Sequence, residues 1–192
     1  DLKINTNATR LTEQMCHDMI KCGVTELVFS IDAEKKELYE KIRLRGKFEQ
    51  VISNIRMFNE VKKQYPETKI TTTASGVFFH EEQDIDSFTS FFKKIVDNVA
   101  VVKIQNRWNT YANPVHPEVT NPCEYLWERM YIWFDGKCNP CDVDYKSYLE
   151  VGNIKSSRIS DIWHGSVYTK IRKDHIEKNR SLWDPCDRCG VE

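Results

Sequence analysis

The sequence predicts an α/β domain followed by a smaller α+β module. Over the first 105 of the 192 residues, runs rich in β-branched and aromatic residues alternate with segments of helical periodicity. After residue 105 the composition changes, because five of the six prolines and five of the seven cysteines lie there. Hydrophobic residues make up 40% of the chain, which is enough for a packed core.

The elements of the first part follow from caps, breakers and periodicity. Thr12 and Asp84 are placed to cap two helices, and Gly23 ends the first of them. Strands are predicted at residues 25–31, 69–79 and 99–104. The side chains predicted to face the core are Phe48, Val51, Ile52, Ile55, Phe58 and Val61 in a central helix stopped by Pro66, and Ile85, Phe88, Phe92 and Ile95 in the helix after it.

Strands and helices that alternate at these lengths predict a parallel sheet with right-handed crossovers. Ligands of such sheets bind at the carboxyl ends of the strands. The candidate active face therefore carries Thr6 and Asn7 from one strand end, Ser30 and Asp32 from a second, and residues 105–107 from a third.

The second part begins with a linker at residues 106–122, because three prolines interrupt regular structure there. A β-hairpin is predicted over residues 130–141, since Asp135-Gly136 supplies the positive φ of a tight turn. Ser160 is predicted to cap a last helix whose inward residues are Ile162, Trp163 and Ile171. The predicted domains are therefore residues 1–105 and 123–192.

Charge and cysteine usage narrow the class of protein. With 28 basic and 29 acidic residues the net charge is -1, which favours neither nucleic acid nor an anionic membrane as a partner. No apolar run approaches the roughly 20 residues needed to span a bilayer. Seven cysteines do not fit an evenly paired disulfide scaffold, so a reduced, cytoplasmic, metal-binding protein is predicted.

Two Cys-x-x-Cys pairs suggest a metal centre. Cys138 and Cys141 with Cys186 and Cys189 would form a four-cysteine zinc ribbon, which leaves Cys123 unused. The gap of 44 residues between the pairs is long for a ribbon. Thiolates suit both zinc and iron–sulfur clusters, so ligand type alone does not choose between them.

Residues 121–190 resemble the auxiliary-cluster domain of radical S-adenosylmethionine (SAM) enzymes, of the SPASM or shorter Twitch type. The matching elements are Pro122-Cys123, the apolar strand 130–133, Asp135-Gly136, Pro140-Cys141, Asp144, Gly152-Asn153, Ile162-Trp163, Arg172 and the pair Cys186 and Cys189. The resemblance implies that Cys123, Cys141, Cys186 and Cys189 hold one auxiliary 4Fe-4S cluster, with Cys138 as a spectator.

The first 105 residues resemble the second half of a radical SAM partial (βα)6 barrel. The matches lie at residues 4–8, 27–32, 42–43 and 46–49, and Ala8 replaces a glycine, which predicts a different turn geometry. The resemblance implies that SAM contacts Thr6, Asn7, Ser30 and Asp32. Arg107 and Trp108, at a strand end before the linker, and Arg43 are the predicted substrate contacts.

The Cys-x3-Cys-x2-Cys triplet that holds the catalytic cluster in this family is missing from the sequence. We therefore expect an N-terminal part that binds a second 4Fe-4S cluster, without which this chain is inactive. The full-length form would be a SAM-dependent radical oxidoreductase or a peptide- or sugar-modifying enzyme. Its partners would be a small-molecule or peptide substrate and an electron donor such as flavodoxin or ferredoxin. The alternatives are a degenerate, non-catalytic relative and a zinc-binding interaction or substrate-binding module.

Overall fold

The structure is a computed structural model that describes residues 1–103, 110–115 and 118–189. The chain divides into two compact units, residues 1–105 and residues 106–192. Among the described residues, no helix is long and apolar enough to cross a membrane.

The first unit is built on a four-stranded parallel sheet, as the alternating pattern predicts. Its strands, in the spatial order of the sheet, are β1 (Lys3–Thr6), β2 (Glu26–Ser30), β3 (Thr71–Phe78) and β4 (Asn98–Lys103). Asn5 pairs with Val28, and Ser30 pairs with Ser75, so the register runs continuously from β1 into β3. The strand ends Thr6, Ser30 and Phe78 therefore belong to the same edge of the sheet.

Four helices connect the strands: α1 (Glu13–Lys21), α2 (Lys36–Ile42), α3 (Phe48–Lys63) and α4 (Ile85–Phe92). Both predicted caps are present, since Thr12 accepts the Met15 N–H at 3.2 Å and Asp84 accepts the Ser87 N–H at 2.6 Å. The sequence did not predict α2. It is only seven residues long and buries two side chains, so it leaves almost no periodic signal.

The core of the first unit lies between the helices and the sheet. All six residues predicted to face inward from α3 are buried. The prediction for Ile85 was wrong, because this side chain is 43% exposed. A helical side chain packs over the turn that precedes it, and Ile85, as the first residue of α4, has no such turn.

The second unit contains short elements around a small antiparallel sheet. They are α5 (Tyr125–Glu128), β5 (Tyr131–Ile132), β6 (Lys137–Asn139), β7 (Gly152–Asn153), α6 (Ile159–Trp163) and α7 (Ser166–Ile176), with 3-10 helices at Thr110–Ala112, Arg180–Leu182 and Cys186–Arg188. The predicted hairpin is β5–β6, and Gly136 at its turn has a φ of +90°. A third strand, β7, completes the sheet.

The single predicted last helix is in fact two helices. Arg158, not Ser160, occupies the cap position of α6, and the Gly165 N–H bonds to the Ile162 carbonyl to end that helix. Glycine relieves the crowding at this break, since an added Cβ would lie 3.0 Å from the Asp161 carbonyl oxygen. The predicted inward residue Ile171 is buried in α7 rather than in the helix that begins near Ser160.

Candidate metal centre

Four cysteines stand at the ends of short elements in the second unit. Cys123 precedes α5, Cys141 follows β6, and Cys186 and Cys189 begin and follow the last 3-10 helix. A proline stands directly before three of them, at Pro122, Pro140 and Pro185. Proline restricts the residue before it to extended backbone, so regular structure is interrupted directly before these three cysteines.

The four thiols interact with one another electrostatically. Cys186 interacts with Cys123, Cys141 and Cys189, and both Cys123 and Cys141 interact with Cys189. These cysteines come from three segments of the chain, so the fold brings distant residues into one place. Within the described ranges, no three His, Cys, Asp or Glu side chains lie close enough together to hold a single metal ion.

Burial favours the protonated form of three of these thiols, Cys123, Cys141 and Cys186, by raising their pKa. Burial raises the pKa of Cys141 to about 12, against the opposing effect of the Val143 and Asp144 backbone N–H groups. Burial also raises the pKa of Cys123, and it raises that of Cys186 well above the ordinary thiol value. Metal ligation by these residues must therefore release protons.

Cys138 lies in a different environment from the four interacting thiols. It is fully buried in the apolar cluster of the second unit, where its Sγ lies 3.7 Å from the Gly136 carbonyl oxygen. Burial raises the pKa of its thiol, and Glu150 is the charged group that adds to this effect. Cys138 thus behaves as a small core residue.

A buried arginine contacts the backbone of the cysteine segments. Arg180 is 1% exposed and, within the described part of the chain, donates hydrogen bonds to three carbonyl oxygens. Its Nε bonds to Cys186, its Nη1 to Asn121 and its Nη2 to Cys189, at 3.0–3.1 Å. The guanidinium also opposes the effect of burial on the pKa of Cys123 and Cys186. This role was not predicted from the sequence, because Arg180 belongs to no motif.

A buried histidine supports the segment around Cys123. The Cys123 N–H donates to Nδ1 of His175 at 3.3 Å, which requires an unprotonated Nδ1. Burial, reinforced by Arg180, lowers the pKa of His175 to about 4, so the ring is neutral at pH 7. The sequence analysis missed His175 as well, since its partner is a backbone group 52 residues away.

The loop after Cys141 is organised by a buried carboxylate. Asp144 is 0% exposed and accepts the N–H groups of Tyr148 and Leu149 at 2.9 and 2.8 Å. It also accepts the hydroxyl of Tyr111. Tyr111 belongs to the predicted linker, so part of that segment packs within the second unit.

In the first unit, Thr6 and Asn7 make local turns at the end of β1. The Thr6 hydroxyl accepts the Ala8 N–H at 3.1 Å, and the exposed Asn7 side chain accepts both the N–H and the hydroxyl of Thr9. Ala8 has a φ of +56°. This is the left-handed conformation, which glycine adopts more readily than alanine does.

Ser30, Asp32 and Arg43 lie near the end of β2. Asp32 accepts the Val77 N–H through Oδ1, while its Oδ2 lies 2.7 and 2.6 Å from Nε and Nη2 of Arg43. Asp32, which was predicted to contact SAM, and Arg43, which was predicted to contact the substrate, thus form an ion pair. Arg107 and Trp108, the other predicted substrate contacts, lie outside the described residues.

Most of the second unit is similar to a known protein family. Residues 123–190 match the family model described as SPASM, an iron-sulfur cluster-binding domain. This segment is similar to SPASM domains. A curated relative, the S-adenosyl-L-methionine-dependent 2-deoxy-scyllo-inosamine dehydrogenase of Niallia circulans, is 39% identical over 55 residues. That match covers 29% of this chain and 22% of the dehydrogenase.

Solved structures of proteins with a SPASM-type domain resemble the whole chain. SuiB of Streptococcus suis, bound to its precursor peptide SuiA, gives a TM-score of 0.66 at 16% identity, over 98% of this chain and 58% of SuiB. The protein anSMEcpe with bound AdoMet gives a TM-score of 0.59 at 12% identity, over 97% of this chain and 61% of anSMEcpe. The resemblance to radical SAM enzymes with a SPASM domain is thereby confirmed. The chain spans less than two thirds of the length of each of these relatives.

Proposed function

We propose that the SPASM domain binds one auxiliary 4Fe-4S cluster through Cys123, Cys141, Cys186 and Cys189. The observation that carries this proposal is the match of residues 123–190, which contain all four cysteines, to an iron-sulfur cluster-binding domain, whereas Cys138 is buried in the apolar cluster of the same unit. Four thiolates from one domain are the ligand set that a 4Fe-4S cluster requires. A cluster also spreads its four thiolates farther apart than a single ion does, since iron and sulfide lie between them.

The surroundings of the thiols suit a cluster that carries negative charge. Backbone N–H groups of Tyr125, Val143 and Asp144 are directed at Cys123 and Cys141, and the buried guanidinium of Arg180 lies nearby. Hydrogen bonds to cluster sulfurs and local charge are the features by which proteins adjust cluster potentials. Once bound, the cluster would supply one-electron chemistry or a coordination site.

We further propose that the chain is part of a SAM-dependent radical enzyme. In this proposal the first unit is the second half of a partial (βα)6 barrel, and Thr6, Asn7, Ser30 and Asp32 face SAM at the carboxyl edge of its sheet. The relatives support the assignment, because the dehydrogenase is named as SAM-dependent and anSMEcpe holds AdoMet. A second 4Fe-4S cluster would belong to another part of the protein, since this chain has no Cys-x3-Cys-x2-Cys triplet and would not cleave SAM alone.

The proposed substrate is a small molecule or a peptide. SuiB is bound to a precursor peptide and the curated dehydrogenase is named for an amino-sugar derivative, so the related proteins include both classes. Arg43 is held at the same sheet edge by Asp32, and Arg107 and Trp108 remain predicted contacts from the sequence alone. An electron donor such as flavodoxin or ferredoxin, and a cytoplasmic location, complete the proposal.

The metal proposal is tested by anaerobic purification followed by iron and sulfide analysis. We expect about four iron and four sulfide per chain and a brown protein. Cys123→Ala should lose the metal, whereas the matched variant Cys138→Ala should keep it. A colourless protein with one zinc, retained in Cys123→Ala and lost in Cys138→Ala, would instead establish the four-cysteine zinc ribbon.

The SAM face is tested by equilibrium dialysis with labelled SAM, using the full-length protein. Ser30→Ala should weaken SAM binding about tenfold, since a hydroxyl bonded to a ligand contributes about 1 kcal/mol or more. Ser160→Ala is the matched control, because Ser160 is exposed in the second unit and, of the residues that the structure describes, its hydroxyl bonds to the adjacent Asp161 alone, at 3.4 Å. Equal SAM affinity in both variants would remove Ser30 from the site.

A further inference from the structure

Arg180 stands out among the buried residues of the second unit. It has the largest side chain among the fully buried residues that the structure describes, and it is charged. Removing a guanidinium from water is costly unless its N–H groups find partners. Here Nε, Nη1 and Nη2 each donate to a different carbonyl oxygen.

All three accepting carbonyls belong to cysteine segments. Two are the carbonyls of Cys186 and Cys189 themselves, and the third is that of Asn121, two residues before Cys123. Asn121 is 59 residues from Arg180 in the sequence, so this bond joins distant parts of the chain. A single rigid, planar group thus fixes the relative positions of three of the four proposed ligands.

The fourth cysteine is positioned differently. Cys141 follows β6, and the loop after it is held by Asp144 through the Tyr148 and Leu149 N–H groups. None of the hydrogen bonds that the described part of the chain shows for Arg180 reaches this loop. Arg180 therefore contacts the segments of three proposed ligands, whereas Asp144 organises the loop that follows the fourth.

We infer that Arg180 is a positioning residue for the auxiliary cluster. It holds Cys123, Cys186 and Cys189 in a ligand-ready arrangement before metal arrives, and its positive charge stabilises the loaded cluster. This inference rests on the proposed function of the SPASM domain. Arg180 is not itself a ligand, since a guanidinium has no free electron pair for iron.

A second arginine of the same domain provides a matched control. Arg172 is partly buried, whereas Arg180 is fully buried. Like Arg180, it donates to carbonyl oxygens, those of Leu126 and Trp163, at 2.8 and 2.7 Å. Its guanidinium stacks on the rings of Trp163 and Tyr168. Among the described residues, these contacts of Arg172 join helices rather than cysteine segments, so loss of Arg172 removes packing of a similar kind without releasing the ligands.

The first experiment measures metal retention in the reconstituted full-length protein. Arg180→Lys keeps the charge, but a single ammonium cannot reach three carbonyls in different directions. We expect iron to be lost to a chelator 10- to 100-fold more readily in Arg180→Lys than in Arg172→Lys, which is the range for groups that orient metal ligands. Equal retention in the two variants, or retention as in the unsubstituted protein, would overturn the inference.

The second experiment measures cysteine reactivity in the metal-free protein, so its result does not depend on metal binding. Mass-spectrometric alkylation should show Cys123, Cys186 and Cys189 reacting several-fold faster in Arg180→Lys, while the rate for Cys141 changes least. A uniform increase at all four cysteines would indicate general loosening and would count against a positioning role.

The third experiment separates charge from geometry. Arg180→Gln removes the charge, so the reduced, more negative cluster should be destabilised and the midpoint potential should be lower than in Arg180→Lys. Equal potentials would refute the charge effect. If the unsubstituted protein binds no iron and sulfide at all, the proposed function fails, whereas normal loading with no effect of Arg180→Lys rejects this inference alone.

Discussion

Counted over the described residues, the core cluster of the first unit contains twenty-two buried apolar residues, whereas that of the second unit contains six. The helices of the first unit reach sixteen residues, and the strands of the second have two or three. Apolar burial is the main favourable contribution to folding, and small cores are usually supplemented by metals or disulfides. The comparison indicates that the second unit needs another source of stability.

That source includes buried polar groups. The buried polar residues described in the second unit are Thr110, Asn139, Asp144, Asp174, His175, Arg180 and Asp187. Several of them bond to backbone groups in loops, as Asp144 does with Tyr148 and Arg180 with Cys189. Such networks specify loop positions that apolar packing cannot specify, but they are costly when a partner is lost. We expect metal binding to complete this arrangement.

Metal removal should produce the largest contrast between the units. Chelation under anaerobic conditions should increase amide hydrogen exchange over residues 123–189 by several orders of magnitude, which corresponds to a loss on the order of 5 kcal/mol. Exchange in α3 and β3 of the first unit should stay within tenfold of the loaded protein. Equal deprotection of both units would show that they do not differ in their dependence on metal.

A core substitution should produce the opposite contrast. Phe58 is fully buried and packs edge-on against Phe29, with ring centroids 6.2 Å apart. Phe58→Ala should destabilise the first unit by about 3–5 kcal/mol, measured by urea unfolding followed with circular dichroism. Iron content per folded chain should not change.

The control for this substitution is Phe134→Ala. Phe134 is fully exposed at the hairpin turn, so its loss should change the free energy of unfolding by no more than about 0.5 kcal/mol. Comparable destabilisation by the two variants would contradict the assignment of the main apolar core to the first unit.

The difference between the units also explains what the sequence could predict. In the first unit, helix α3 and strands β2 and β3 follow from local periodicity, and the caps Thr12 and Asp84 form as expected. The short, charged helix α2 and the exposure of Ile85 were not predicted. These failures lie where an element is too short, or a residue too near a helix end, for periodicity to report burial.

In the second unit, the hairpin at Asp135-Gly136 was predicted from its turn chemistry. The break between α6 and α7 was not, because it depends on crowding at Gly165. The bonds of Arg180 and His175 were also missed, since they join side chains to backbone groups up to 59 residues away. Long-range polar contacts of this kind have no periodic signature in a sequence.

Substitution of Asp144 tests the polar network of the second unit, and its expected effect on the free energy of unfolding is intermediate among these predictions. Asp144→Asn keeps the shape of the side chain but replaces one acceptor oxygen with a donor, opposite the Tyr148 or Leu149 N–H group. An unsatisfied buried pair should cost about 2 kcal/mol. We expect faster hydrogen exchange around residues 144–149 and unchanged exchange in the first unit.

Asp142→Asn is the matched control, two residues earlier in the same loop. Asp142 is only half-buried, so the free energy of unfolding should change by less than about 0.5 kcal/mol. If the two variants were equally stable, the Asp144 bonds would not hold the loop.

The smallest expected effect is a pH dependence within the first unit. Two opposing effects act on the pKa of Asp97. Burial raises it, but Lys62 at 2.7 Å and the N–H and hydroxyl groups of Thr72 together lower it by more, so the net pKa lies below the ordinary value of 3.8. A carboxyl whose pKa is lowered by folding stabilises the protein above pH 3.8, and this contribution is lost as the pH falls through the lowered value. Because the side chain is 45% exposed, solvent screening limits the contribution to about 1 kcal/mol.

Hydrogen exchange of the β3 amides at pH 5 and pH 3 measures this contribution, after correction for the intrinsic exchange rates. The unsubstituted protein should lose up to about 1 kcal/mol of first-unit stability over this range beyond the loss in Asp97→Asn, which has no carboxyl to protonate. Asp86→Asn, in the first turn of α4, should behave as the unsubstituted protein. An identical pH response in the unsubstituted protein and Asp97→Asn would mean that the Lys62–Asp97 pair is too well solvated to matter.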